Sequence, residues 1–128
     1  MFIGLPSGRR IAYVKPEIGE NRFGGKSITY MGMDQTSKKW TRLETWGGKL
    51  VENIVQAFAR DCLAESIMKL DKAGYRVVFH VHDEVILDEP KDRSSAQEVA
   101  ALMGQPIEWA PGLPLNADAY ECEYYRKD

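Results

Sequence analysis

Arg76-Val77-Val78-Phe79-His80-Val81-His82-Asp83-Glu84-Val85-Ile86-Leu87-Asp88-Glu89 is the stretch whose reading decides the fold. Two apolar runs, Val77, Val78, Phe79 and Val81 and then Val85, Ile86 and Leu87, are broken by His82, Asp83 and Glu84. β-branched and aromatic residues fit a pleated, half-buried surface, so the runs predict two strands joined by a tight turn. Two carboxylates and an imidazole at the tip of an apolar hairpin are costly to bury unpaired and need water, a cation or a partner. A divalent cation is the simplest partner, because hard cations prefer carboxylate oxygen and a rigid hairpin holds its ligands still. The turn alone gives a plainer account, since hairpin tips are polar and Asp suits turn geometry. On these residues both readings stand.

Immediately upstream, residues 49–73 carry the longest periodic pattern, preceded by Gly47-Gly48 and closed by Gly74 as the expected C-cap. A helix of about seven turns is predicted. Leu50, Ile54, Phe58 and Cys62 recur every fourth residue and, with Val51 and Val55, make an apolar face. Lys49, Asn53, Gln56 and Arg60 fall within a sector of about 60° and form one polar stripe. Beyond Arg60 that sector turns apolar through Leu63, Ile67 and Leu70, so its first half is expected open and its second half buried. A polar stripe is ordinarily a helix's solvent side. This one carries no carboxylate, and a donor-rich set of Asn, Gln, Lys and Arg suits phosphates, sugar edges and bases.

Downstream, residues 91–103 predict a second, shorter helix with Ser94 or Ser95 as N-cap, Glu98 completing a capping box, and Val99, Leu102 and Met103 on one face. Residues 105–113 are rich in Pro and Gly, with Trp109 expected to anchor the crossing to the core. In residues 115–124, Leu115, Ala117, Ala119 and Glu121 alternate with Asn116, Asp118, Tyr120 and Cys122, which predicts a last strand before a polar, frayed tail from Arg126. At the other end, residues 4–13 read as a hairpin with Arg9 and Arg10 near its tip. Paired arginines can hold a phosphate, although solvated surface is their commoner use. Residues 17–26 read as a loop, and residues 27–33 and 39–46 as a hairpin over a polar connection. Lys38, Lys39 and Arg42 on it suit a solvated edge strand.

A chain of 128 residues supports one domain with a real core, here divided into a β-ribbon region, 1–46, and a helix-hairpin-helix-strand core, 47–128. Hydrophobic residues at 44% and charged residues at 28% disfavour disordered and fibrous classes. No apolar run reaches the roughly 18 residues of a membrane span, and the first residues lack a signal-peptide pattern, so an intracellular, cytoplasmic location without membrane partners is expected. A net charge of −2 disfavours a whole-surface nucleic-acid binder but leaves room for a local basic cluster. Cys62 and Cys122 have no metal-ligand spacing. The predicted class is α+β: an antiparallel sheet of the 76–89 hairpin and the C-terminal strand, packed on one long and one shorter helix, with an additional N-terminal β-ribbon.

With these parts in order, the sequence resembles the C-terminal palm segment of family A (DNA polymerase I-like) DNA polymerases, of the phage and prophage type. The resemblance is carried by Gly8-Arg9-Arg10-Ile11-Ala12-Tyr13-Val14-Lys15-Pro16, by Asn53-Ile54-Val55-Gln56-Ala57-Phe58-Ala59-Arg60-Asp61 and by Val81-His82-Asp83-Glu84-Val85, the family's motif C. Trp109-Ala110-Pro111-Gly112-Leu113-Pro114-Leu115 also looks like the phage version, so essentially the whole chain is covered. The resemblance implies that Asp83 binds the catalytic divalent metals, with Glu84 supporting it and His82 beside the primer terminus. It implies a two-metal Mg2+ site only partly supplied by this chain. Two metals stabilise the attacking and leaving oxygens of an in-line displacement, which is why such chemistry needs carboxylates at a fixed point.

Asn53 and Gln56 then lie along the minor groove, whose shared acceptors permit contact without sequence preference. Lys49, Arg60, Arg9 and Arg10 complete the implied contacts to primer-template DNA. From Asn53 to Asp61 the helix motif is one residue shorter than in the cellular enzymes, a departure that bears on Gln56. The hairpin over residues 27–46 has no counterpart in those enzymes. The implied partners are primer-template DNA, a dNTP and the missing N-terminal part of the polymerase, in a bacterial cell or phage-infected host. A fragment is thus expected, inactive alone and open to self-association through uncovered apolar surface. A non-catalytic DNA- or protein-binding module derived from a palm is the alternative. A hairpin-based phosphohydrolase lacks further ligands.

Overall fold

The structure is a computed structural model that describes residues 1–93 and 95–126. It divides into two compact units, Met1–Phe58 and Ala59–Asp128. In the first unit β1 (Phe2–Gly4) pairs antiparallel with β2 (Arg10–Ala12), Gly4 facing Arg10. Their turn is closed by Leu5 N–H donating to Arg9 O at 2.8 Å, and Gly8 takes a φ of 89° that a side chain would strain. Arg9 and Arg10 border this turn, as expected of the hairpin over residues 4–13.

A three-stranded antiparallel sheet follows, in the order β3 (Val14–Glu20), β4 (Lys26–Met33), β5 (Trp40–Thr45). β4 and β5 are the hairpin expected over 27–46, turned by Asp34, whose Oδ1 accepts from the N–H groups of Thr36 and Ser37. β3 corrects the reading of residues 17–26 as a loop. Glu17, Ile18, Gly19 and Glu20 pair with Thr29, Ile28, Ser27 and Lys26, leaving only a short turn. Gly19 serves close packing, since a Cβ there would stand 3.0 Å from Thr29 Cγ2.

The register slips between Val14 and Glu17, a bulge at which Lys15 has a φ of 45°. Arg42 reaches across to it, donating to Lys15 O at 3.1 Å and to Thr29 Oγ1 at 3.2 Å while pairing with Glu17 at 3.1 Å. Leu5, Tyr13, Thr29 and Thr45 are this unit's buried residues, and Tyr13 meets Tyr30 edge-on at 5.0 Å.

The long helix, α1 (Gly47–Lys72), starts two residues earlier than its periodicity suggests. It ends where Gly74 predicts: Gly74, at φ 84°, donates to Asp71 O at 2.9 Å and Tyr75 N–H to Leu70 O at 3.0 Å, the paired bonds of a Schellman cap. Its part in the second unit buries Asp61, Cys62, Leu63, Ser66 and Leu70, the last completely. Toward the N-terminus the apolar face is narrower than expected. Val51 and Val55 stay exposed while Leu50, Ile54 and Phe58, about 100° around the helix, are half-buried.

In the second unit β6 (Val77–Val81) pairs antiparallel with β7 (Glu84–Leu87). α2 (Ala96–Met103) follows, with Ser95 as N-cap accepting from Glu98 N–H at 3.3 Å, while Ser94 lies outside the described residues. Val99, Leu102 and Met103 are half-buried and Gln97, Glu98 and Ala101 exposed, the predicted sidedness. Ile107 and Ala110 anchor the following crossing; Trp109 is only half-buried, because a ring that large rarely finds complete cover.

The expected strand over 115–124 does not form. Asn116, Asp118 and the small Ala117 and Ala119 give an extended ladder little to pack. Side chains hold this stretch instead: Glu121 Oε1 accepts from Ala96 N–H at 3.1 Å and Tyr125 meets Phe79 edge-on at 5.1 Å. Of the tail expected from Arg126, Lys127 and Asp128 lie outside the described residues. The α+β class with antiparallel sheets and two helices is the class expected, and among the described residues no helix is long and apolar enough to cross a membrane.

Candidate functional site

Val81 faces Glu84 in the β6–β7 ladder, so His82 and Asp83 alone make the turn. Two-residue hairpin turns of the primed types need a positive φ at their first position, and His82 supplies it at 50°. A side chain in that region costs roughly 1–2 kcal/mol, a strain found mostly where a position has work to do. His82, Asp83 and Glu84 are all exposed. Pairing slips between Val77 and Phe79, which puts a bulge at Val78 in the strand leading to the tip.

The base of the hairpin is clamped. Arg76 pairs with Asp88 at 3.0 Å, and Arg76 N–H donates to the Glu89 carboxylate. Arg93 pairs with the other Glu89 oxygen at 2.9 Å, donates to Gly74 O and lies over the Tyr75 ring at 5.3 Å. Among the described residues no group of three or more His, Cys, Asp and Glu side chains gathers into a metal cage. The tip therefore offers the two carboxylates of Asp83 and Glu84. That donor set fits Mg2+, which takes one or two protein carboxylates and fills its other positions with water and phosphate oxygens.

A different surface forms within the first unit. Arg9, Arg10, Tyr13, Tyr30, Asn53 and Gln56 line a shallow concavity of about 440 Å³. Arg9 Nη2 donates to Ala57 O at 3.0 Å, which fixes its guanidinium against α1. Asn53 Nδ2 donates to Tyr13 OH at 3.0 Å, so a buried phenol orients a half-buried amide. Two signals that were separate in the sequence, the arginine pair and the Asn/Gln stripe, are thus one surface. Lys49 and Arg60 do not line it; Arg60 is exposed on the part of α1 in the second unit.

The stripe is not free of carboxylate, contrary to the sequence reading. Glu52 pairs with Lys49 at 3.0 Å and accepts from Gln56 Nε2 at 3.3 Å. Its spacing, three residues from Lys49 and four from Gln56, is the signal that finds it. Tyr13 and Tyr30 were also missed, because only strand pairing brings them to α1.

No family model and no solved structure matches this chain. A DNA polymerase of Bacillus phage SP02 is 57% identical over 129 aligned positions, which cover 100% of this chain and 20% of that polymerase. The thermostable DNA polymerase I of Thermus thermophilus is 28% identical over 121 positions, 89% of this chain and 13% of that protein. The chain spans about a fifth of the length of the curated phage relative and, along its whole length, is similar to one segment of a larger DNA polymerase.

Proposed function

We propose that this chain supplies the palm portion of a template-directed DNA polymerase of family A, with the β6–β7 hairpin as its motif C. The observation that carries the reading is the hairpin tip: two exposed carboxylates on a two-residue turn whose first residue takes a strained φ of 50°. Whole-length likeness to DNA polymerases supports the reaction class. Asp83 and Glu84 hold the divalent cations. When bound, such ions stabilise the attacking and leaving oxygens of nucleotidyl transfer. His82, fixed by the turn, stands beside the primer end.

The concavity of Arg9, Arg10, Asn53 and Gln56 binds primer-template DNA, the arginines on phosphates and the amides on minor-groove acceptors. Lys49 and Arg60 add charge along α1. Two carboxylates do not complete a two-metal site, so the segment acts within a larger polymerase that supplies the remaining ligands and grips the dNTP. Purified alone, the chain is expected to incorporate no nucleotide.

Grafting this chain in place of the matching segment of the phage SP02 polymerase tests the reading by primer extension. The graft is expected to extend a primed template, and Asp83→Ala to slow it by at least about 100-fold. Asn53→Ala with Gln56→Ala is expected to weaken primer-template binding. Undiminished extension by the Asp83→Ala graft overturns the assignment. A graft that folds and binds duplex but never extends replaces it with the binding-module reading, which the Arg9–Asn53 concavity by itself would serve.

A further inference from the structure

A cavity of about 690 Å³ in the first unit lies at the β3–β4 turn and the start of α1, in the ribbon that the catalytic reading leaves without a role. Its size falls within the roughly 300–1,000 Å³ of small-ligand sites. Phe23 and Trp46 both line it and are 82% and 61% exposed. The two rings therefore stand open to contact at one cavity. Phe23 is not a loose side chain: Asn21 Oδ1 accepts from the N–H groups of Phe23 and Gly25 at 2.9 and 3.0 Å, and the Arg22 guanidinium lies 4.7 Å from the Phe23 ring centroid.

The walls are polar in an unfinished way. Thr45 lines the cavity at 1% exposure, and its Oγ1 has no hydrogen-bond partner. Ser27 Oγ, in the same wall, is likewise buried and unpartnered. A buried hydroxyl left unpaired has given up water without replacement, a loss that a ligand bonding to it would offset. Arg22 and Lys26 outnumber the single wall carboxylate, Glu44. Gly47 opens α1 there, and the helix has no acidic residue in its first turn to neutralise its positive end.

Aromatic faces, cationic side chains, an uncompensated helix N-terminus and unpaired hydroxyls together match the parts of a nucleotide: base, phosphate and sugar. We propose that this cavity binds a nucleotide of a single-stranded polynucleotide, the base stacked on Phe23 or Trp46, the phosphate at Arg22, Lys26 and the start of α1, and the Thr45 and Ser27 hydroxyls bonded to the ligand. The open mouth suits a strand that passes through rather than a free nucleotide enclosed. The choice of ligand rests on the nucleic-acid reading of the chain, but not on the hairpin carboxylates.

Fluorescence anisotropy of a labelled oligo(dT) of roughly 12 nucleotides, titrated with the purified chain at low salt, tests this. Phe23→Ala and Trp46→Ala are each expected to weaken binding by about 5- to 100-fold. Arg22→Ala with Lys26→Ala, which together hold one phosphate, lowers the slope of log affinity against log salt by about 0.7. Thr45→Val separates structure from recognition: removing an unpaired hydroxyl raises the Tm of the free chain, and removing a ligand contact weakens oligo(dT) binding. Circular dichroism confirms that each variant folds. No binding by the unaltered chain, or unchanged affinity in both aromatic variants, overturns the proposal. Binding is read without primer extension, so either result leaves the catalytic assignment to its own test.

Discussion

Arg93→Ala removes the residue that joins the two ends of the hairpin carrying Asp83. Its guanidinium binds Glu89 after β7 and Gly74 O before β6, and covers the Tyr75 ring. Arg93 is 41% exposed in its side chain and Glu89 13%, so the pair is partly screened on one side and largely desolvated on the other. A charge-assisted bond contributes roughly 1.5–3 kcal/mol when buried, an exposed ion pair below about 1, and a surface cation–π contact about 0.5–1. With the discount for exposure, loss of all three is expected to cost about 2–3 kcal/mol. For a domain of this size that lowers Tm by roughly 10 °C.

Urea denaturation measures the change as a shift in midpoint at constant m, and hydrogen exchange locates it in β6 and β7 rather than in β4 and β5. Arg93→Lys keeps the charge but not the fork, and is expected to recover less than half of the loss. In the grafted polymerase the same substitution slows extension without touching a carboxylate. An unfolding free energy for Arg93→Ala within about 0.5 kcal/mol of the unaltered chain refutes the clamp.

Acid and thiol chemistry give two further checks. The Ser37 N–H and hydroxyl, against an opposing desolvation and with help from the Thr36 N–H, hold Asp34 below its ordinary 3.8. The carboxylate therefore stabilises the β4–β5 turn above the unfolded pKa, and the support is lost as pH falls through the lower folded value. An NMR titration should place the Asp34 midpoint below 3.8, and Asp34→Ala should abolish the acid-dependent loosening of that turn. Burial, and then the neighbouring Asp61 charge, push the Cys62 thiol up against the opposing effect of Lys69. At about pH 8 a thiol reagent is expected to label exposed Cys122 at once and Cys62 only on unfolding, as mass spectrometry of the labelled chain would show.

Where local signals agreed, the sequence was sufficient to place the elements. Gly74 stopped α1, Asp34 turned β4 into β5, and the break at His82 and Asp83 set the β6–β7 turn. β3 was hidden because its defining features are non-local: Gly19 imitates a loop residue until Thr29 is placed beside it, and the Lys15 bulge makes sense only with Arg42 from β5. The strand expected over 115–124 failed for the opposite reason, because alternation among mostly small and polar side chains gave a ladder little to pack. At the candidate site the tip residues were legible one by one. Their neighbours were not, since Tyr13 reaches Asn53 across 40 positions of sequence.

The bulge at Lys15 has a bearing on what this sheet can join. β3 is an edge, and an edge strand offers its backbone donors and acceptors as a template for any strand that comes alongside. Here the row is interrupted: Pro16 has no N–H to give, Lys15 is turned out of the extended conformation, and Arg42 takes the Lys15 carbonyl. A foreign strand meets at most the four residues from Glu17 to Glu20 before the ladder breaks, two of them acidic. The distortion that made this strand hard to foresee thus also keeps that border of the ribbon from growing by strand addition.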